Sequence, residues 1–80
     1  MFRKLVKTDG VEVDGHVYAV RYYSTRTVHG EYRYSAEVIL APEDRIIIDD
    51  NSLNTLEARL THLVPATVYC RLLAGRATAA

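Results

Sequence analysis

Apolar and polar residues alternate along most of the first fifty positions, then switch to a spacing of three and four after residue 52. Alternation sends successive side chains to opposite faces of a strand, whereas the three-and-four spacing gathers them on one face of a helix. Strands followed by a helix define an α+β chain, here an antiparallel meander of three or four strands with a C-terminal helix on one face.

Turn chemistry divides the strand region. Asp14-Gly15 lies between the alternating runs Val11-Glu12-Val13 and His16-Val17-Tyr18. A two-residue type I′ turn needs positive φ at both central positions, which Asp-Gly tolerates, so Val13 is expected opposite His16 and Val11 opposite Tyr18. Asp9-Gly10 is a second turn or bulge candidate, which predicts a short or broken first strand.

The next hairpin joins His16–Thr27 to Glu31–Ala41 through Val28-His29-Gly30. A three-residue loop of this kind ends in the left-handed region, where glycine is unstrained. The resulting register pairs Ser24 with Tyr34, Tyr22 with Ala36, Val20 with Val38 and Tyr18 with Leu40. It also places Arg21 across from Glu37 on the other face. A tighter turn would oppose Arg26 to Arg33 and mix the two faces. Ala41-Pro42-Glu43-Asp44 reads as a turn and Arg45–Asp49 as a short strand. Its three isoleucines, Ile46, Ile47 and Ile48, cannot all face one side, so at least one points away from the core.

Asp50-Asn51-Ser52 supplies three helix-capping residues ahead of Leu53, Leu56, Leu60, Leu63 and Val64, which share one helical face. Pro65 is expected to end or kink this helix. Residues 66–74 are read as a second helix in preference to a final strand, with Gly75 as its stop. The domain is expected to span residues 1–75, with 76–80 a disordered Ala-rich tail. The expected core is Tyr18, Val20, Ala36, Val38, Leu40, Leu53, Leu56, Leu60 and Leu63, with one or two of the isoleucines.

Composition narrows the function classes. Ten basic and ten acidic residues cancel, which disfavours the strong general field of most nucleic-acid-binding domains. Cys70 is the only cysteine, so the chain has neither an internal disulfide nor a thiolate zinc cluster. Met1–Lys7 lacks an apolar run of signal-peptide length, and nothing approaches the roughly 18 apolar residues of a membrane span. A cytoplasmic protein with no membrane partner is expected.

No candidate for chemistry outweighs its structural explanation. Asp44, Asp49 and Asp50 lack the spacing of a calcium loop and suit a turn and a helix cap. His16, His29 and His62 are too dispersed for a ligand motif, and Cys70 has no local partner that marks a nucleophile. No metal, cofactor or catalytic residue is therefore assigned.

Six tyrosines stand out, and the five in the strand region distribute over two faces. Tyr18, Tyr22, Tyr32 and Tyr34 fall on the inner face, whereas Tyr23 shares the outer one with Arg21 and Arg33. Tyrosine and arginine are enriched at protein interfaces and also suit base stacking and phosphate contact. The candidate interaction surface is Arg21, Tyr23, Arg33, Ile46, Ile47 and Ile48. The expected function is a non-enzymatic interaction domain that pairs with itself or another protein. A nucleic-acid-binding module is the alternative.

Overall fold

A computed structural model describes residues 3–79, with side chains described through residue 75. Four strands run in chain order: β1 (Arg3–Val13), β2 (His16–Arg26), β3 (Tyr32–Ala41) and β4 (Asp44–Asp50). They pair antiparallel as a simple meander, and one helix, α1 (Leu53–Ala79), packs across a single face.

Both long hairpins follow from their turns. Asp14 and Gly15 have φ of 50° and 83°, the left-handed pair of a type I′ turn, with Val13 opposite His16 and Val11 opposite Tyr18. In the β2–β3 loop, Gly30 N–H donates to the Thr27 carbonyl at 3.0 Å and Thr27 N–H to the Glu31 carbonyl at 2.7 Å. Gly30 sits at φ 84°, which closes the three-residue loop. Val20 therefore faces Val38, Tyr22 faces Ala36, Ser24 faces Tyr34 and Arg21 faces Glu37. This is the register expected from the loop length.

β1 departs from expectation. It is an unbroken strand of 11 residues, and its irregularity falls at Val6, between Leu5 and Lys7, rather than at Asp9-Gly10. Gly10 stays in register opposite Ala19. It is not a turn glycine: a Cβ there would meet Val17 Cγ1 at 2.6 Å, so the strand position suits a residue without a side chain. The bulge and the seven-residue length of β4, with charges near both of its ends, are devices that blunt the two sheet edges.

The core is Val20, Tyr22, Ala36, Val38, Leu56, Leu60 and Val64, flanked by half-buried Val11, Val13, Tyr18, Tyr34, Leu40, Ile46, Ile48, Leu53 and Val68. Val64 takes the place expected for Leu63, which is only half-buried. Tyr22 is more deeply buried than Tyr18. Ser52 caps the helix: its carbonyl accepts Leu56 N–H at 3.0 Å and its hydroxyl accepts Thr55 N–H at 3.4 Å.

α1 does not stop at Pro65 or at Gly75; it runs as one element for 27 residues, about 40 Å at 1.5 Å per residue. Residues 66–74 are helical as expected, but they continue the first helix. Pro65 removes one hydrogen bond to the Thr61 carbonyl, and Thr61 is exposed, so water can take the donor's place. Anchors on both sides of the proline hold the two halves to the same sheet: Leu56, Leu60 and Val64 before it, Val68 and Arg71 after it. The helical assignment also covers 76–79, where a disordered tail was expected; residue 80 lies outside the described residues.

Leu56→Ala or Leu60→Ala should cost about 2–5 kcal/mol in chemical unfolding, and Leu63→Ala clearly less, because only the first two are fully buried. Pro65→Ala should raise the thermal midpoint, since it restores a helical donor at an interior position.

Candidate interaction surface

The face of the sheet opposite α1 carries Arg21, Tyr23 and Arg33, together with Ile47, which opposes Glu37. Ile46 and Ile48 do not belong to this surface. They oppose Val38 and Ala36 on the helix side and pack against the core, as the two-residue period of a strand requires once Ile47 points out. Four of the six candidate residues therefore share one face.

This face is held together by ion pairs. Glu37 lies at its centre and is only 7% exposed. Arg45 Nη1 donates to Glu37 Oε2 at 3.3 Å, and Arg21 Nη1 lies 3.6 Å from Oε1. The register expected from the sequence set Arg21 across from Glu37; the second guanidinium, Arg45 from β4, joins them at the buried carboxylate. Arg33 Nη2 donates to Asp49 Oδ2 at 3.1 Å, and the Arg3 guanidinium stacks 4.0 Å from the Tyr23 ring centre. Most of the guanidinium charge here is already partnered. Ile47 and Val17 are exposed on the same face but on different strands, separated by these polar groups.

The three clustered aspartates are separated in the fold. Arg71 grips Asp44 with two hydrogen bonds, Nε to Oδ2 at 2.8 Å and Nη2 to Oδ1 at 3.2 Å. Asp49 belongs to Arg33. Asp50 accepts the backbone N–H groups of Asn51 and Ser52 at 2.7 and 3.3 Å, and Arg59 Nη1 at 3.0 Å. The hydrogen bond from Arg59 holds the Asp50 carboxyl below its ordinary value, with the two backbone donors adding to the effect against partial desolvation. Among the described residues, no group of three or more potential ligands could hold a metal ion.

Among the described residues, depressions open at three places. The first, about 420 Å³, lies between β1 and α1 and includes Asp9, Glu12, Tyr22 and Glu57. Glu57 is paired with Lys7, and this hydrogen bond raises the Lys7 ammonium above its ordinary value. Burial raises the Tyr22 hydroxyl likewise. The second, about 200 Å³, is lined by Tyr18, Leu40, Ala41, Asp44, Val68, Arg71 and Leu72 at the end of the sheet. The third is a shallow, mainly apolar hollow formed by Arg59, His62, Leu63 and Ala66 on the outer side of α1. It places no carboxylate beside His62, and Cys70 is exposed away from all three.

A second surface was missed by sequence reasoning. The Arg71–Asp44 pair sits beside the last turn of the sheet, and eight helical residues, Leu72–Ala79, follow it, about 12 Å of helix. Tyr69, Leu72 and Leu73 are 63%, 56% and 45% exposed. The sequence did contain a sign of this: apolar residues past Val64 occupy more of the helix circumference than one buried face can use.

Comparison of the chain with protein-family models, curated proteins and solved structures finds no match. No helix among the described residues is long and apolar enough to cross a membrane.

Glu37→Gln should lower stability by about 1–2 kcal/mol in denaturant titration, because two charge-assisted contacts to a buried carboxylate weaken together. Asp50 contributes stability that is fully present above its ordinary value of 3.8 and is lost as pH falls through its lower folded value. Asp50→Asn should therefore be less stable than wild type near neutrality, and thermal melts of the two should converge as pH drops below 3.8.

Proposed function

We propose that the chain is a non-enzymatic interaction domain that pairs with a second copy of itself. One observation carries this reading: Tyr69, Leu72 and Leu73, in the second half of α1, are exposed, so this stretch lacks the cover that Leu56, Leu60 and Val64 receive from the sheet. A helix that is apolar around most of its circumference is stable in water when another surface covers it. The small size of the domain supports the same reading, since a chain of 80 residues has little core of its own to spare.

A second reading rests on a separate observation. Arg3, Arg21, Arg33 and Arg45 occupy the helix-free face of the sheet together with Tyr23, an arrangement that suits single-stranded nucleic acid. It ranks second because Glu37 and Asp49 already engage three of the four guanidiniums. It predicts binding of a single-stranded oligonucleotide that weakens steeply with salt and further on Arg33→Glu. An unchanged fluorescence anisotropy at low salt removes it.

Light scattering coupled to size exclusion is expected to give twice the monomer mass at about 100 μM, a concentration at which even weak specific pairs are populated. Leu73→Glu should shift the chain toward the monomer while leaving its far-ultraviolet circular dichroism unchanged, because Leu73 makes no core contact. A wild-type monomer at that concentration removes the self-pairing reading.

A further inference from the structure

We propose that the depression between β1 and α1 binds a primary alkylammonium group, held by the Asp9 carboxylate, the Tyr22 hydroxyl and the Thr61 carbonyl. The site lies apart from the exposed stretch of α1, and nothing in it depends on self-pairing.

Strand register builds one wall. Asp9 pairs with Val20 and Lys7 with Tyr22, so both β1 side chains share the face that α1 covers. The helix supplies the other wall through Glu57, Leu60, Thr61 and Pro65, whose spacing gathers them on one side. The volume of about 420 Å³ falls within the range of small-molecule sites.

Two polar groups here want a partner from outside the chain. Tyr22 is 3% exposed, yet its hydroxyl makes no hydrogen bond among the described residues. No fully buried side-chain oxygen goes unpaired, so the small open part of Tyr22 includes this hydroxyl, and it meets the depression that Tyr22 lines. Its partner comes from whatever occupies that space. The second group is the Thr61 carbonyl at the helix rim. Pro65 denies it the usual helical donor, and Thr61 is exposed.

Charge decides the sign of the occupant. Asp9 and Glu57 face Lys7 alone, and Lys7 pairs with Glu57. Asp9 makes no ion pair among the described residues; its Oδ1 accepts the adjacent Gly10 N–H at 2.8 Å, which fixes the carboxylate in place. One negative charge is therefore left over, and exposed Glu12 at the rim has the same sign. An anion would be repelled, whereas a single cation completes the balance.

The kind of cation follows from the donors and acceptors. An ammonium carries three N–H donors, and the site offers three acceptors in Asp9, Tyr22 and Thr61. A bare metal ion fits poorly, because no three ligating side chains come together among the described residues. Val11 and Leu60 provide apolar surface for an aliphatic stem.

The test titrates n-butylamine, as its ammonium ion at neutral pH, into the isotope-labelled full chain and follows backbone amide shifts by NMR. Saturable shifts at Gly10, Val11 and Thr61 are expected, with millimolar affinity for so small a ligand. Asp9→Asn should weaken binding about tenfold and Tyr22→Phe about threefold, the ring and the core being kept. Pro65→Ala returns a donor to the Thr61 carbonyl. It should weaken binding about threefold while the thermal midpoint rises, so that loss cannot come from unfolding. Tetramethylammonium has the charge without the N–H donors and should give no saturable shift. Cadaverine and Nα-acetyl-lysine methylamide, titrated in parallel, distinguish a free amine from a lysine of another protein; saturable binding of either supports the site. No saturable shift with any of the three amines overturns the proposal and leaves the Tyr22 hydroxyl to water. Butylamine binding unchanged by Asp9→Asn, or tetramethylammonium binding as tightly as butylamine, overturns it as well. None of these outcomes alters the mass of the chain in solution, so the self-pairing reading stands or falls separately.

Discussion

The fold depends on one contact, the row Leu56, Leu60 and Val64 of α1 laid against Val20, Ala36 and Val38 of the two central strands. The spacing of this row is four throughout, and four residues of α-helix turn the side chain about 40° beyond a full circle. The row therefore slants around the helix as it advances. A sheet with the usual twist presents a surface that rotates in the same way, so a slanted row stays in contact where an axial one would lift off. This accounts for Val64 being buried and Leu63 being displaced to the margin.

The same contact explains why the two faces of the sheet differ. The helix supplies the apolar cover on one side. On the other, cover is electrostatic: Glu37 is buried beneath Arg21 and Arg45, and Arg33 closes on Asp49. Isolated apolar residues such as Ile47 stand among these pairs and do not merge into a broad patch. The helix-free face is thus largely satisfied within the chain, whereas Tyr69, Leu72 and Leu73 of α1 stand exposed. That contrast, rather than the number of tyrosines, ranks the helix above the sheet as the place for a partner.

The strand region was legible in the sequence because its turns are local. Asp14-Gly15 and Val28–Gly30 each set a register through backbone conformations that few residues adopt, and the pairs of β2 with β3, and of β1 with β2 as far as the irregularity at Val6, then follow by counting. That at least one of Ile46, Ile47 and Ile48 must point away from the core was legible from the two-residue period of a strand, but which one was not. What could not be read was whatever depends on elements meeting at a distance. Glu37 is buried by Arg45, whose position requires the β3–β4 register with its shift between Ile39 and Ala41. Pro65 looked like a stop because nothing local favours continuing past it. The contacts that hold the second half of the helix, Val68 in the core margin and Arg71 on Asp44, join residues as far as 27 apart in the chain. The candidate surface divides on the same line. Arg21, Tyr23 and Arg33 were placed by counting, whereas all three isoleucines were carried in the candidate surface because the register of β4, which decides which of them points out, had not been set.

The inner and outer stripes of α1 follow from one geometrical fact. A row at intervals of four and a row alternating three and four diverge steadily around the helix, so a long helix can serve one partner on each. The inner row ends where the sheet ends, at the Arg71–Asp44 pair. The outer row, Leu63, Ala66, Cys70 and Leu73, starts where the inner row has slanted away from it and continues beyond that pair. A helix built only to close the sheet could stop at Val68 without losing a core contact. Leu72 and Leu73, just after Arg71, add exposed apolar surface and stand outside the core cluster, and their cost is offset where something else covers them.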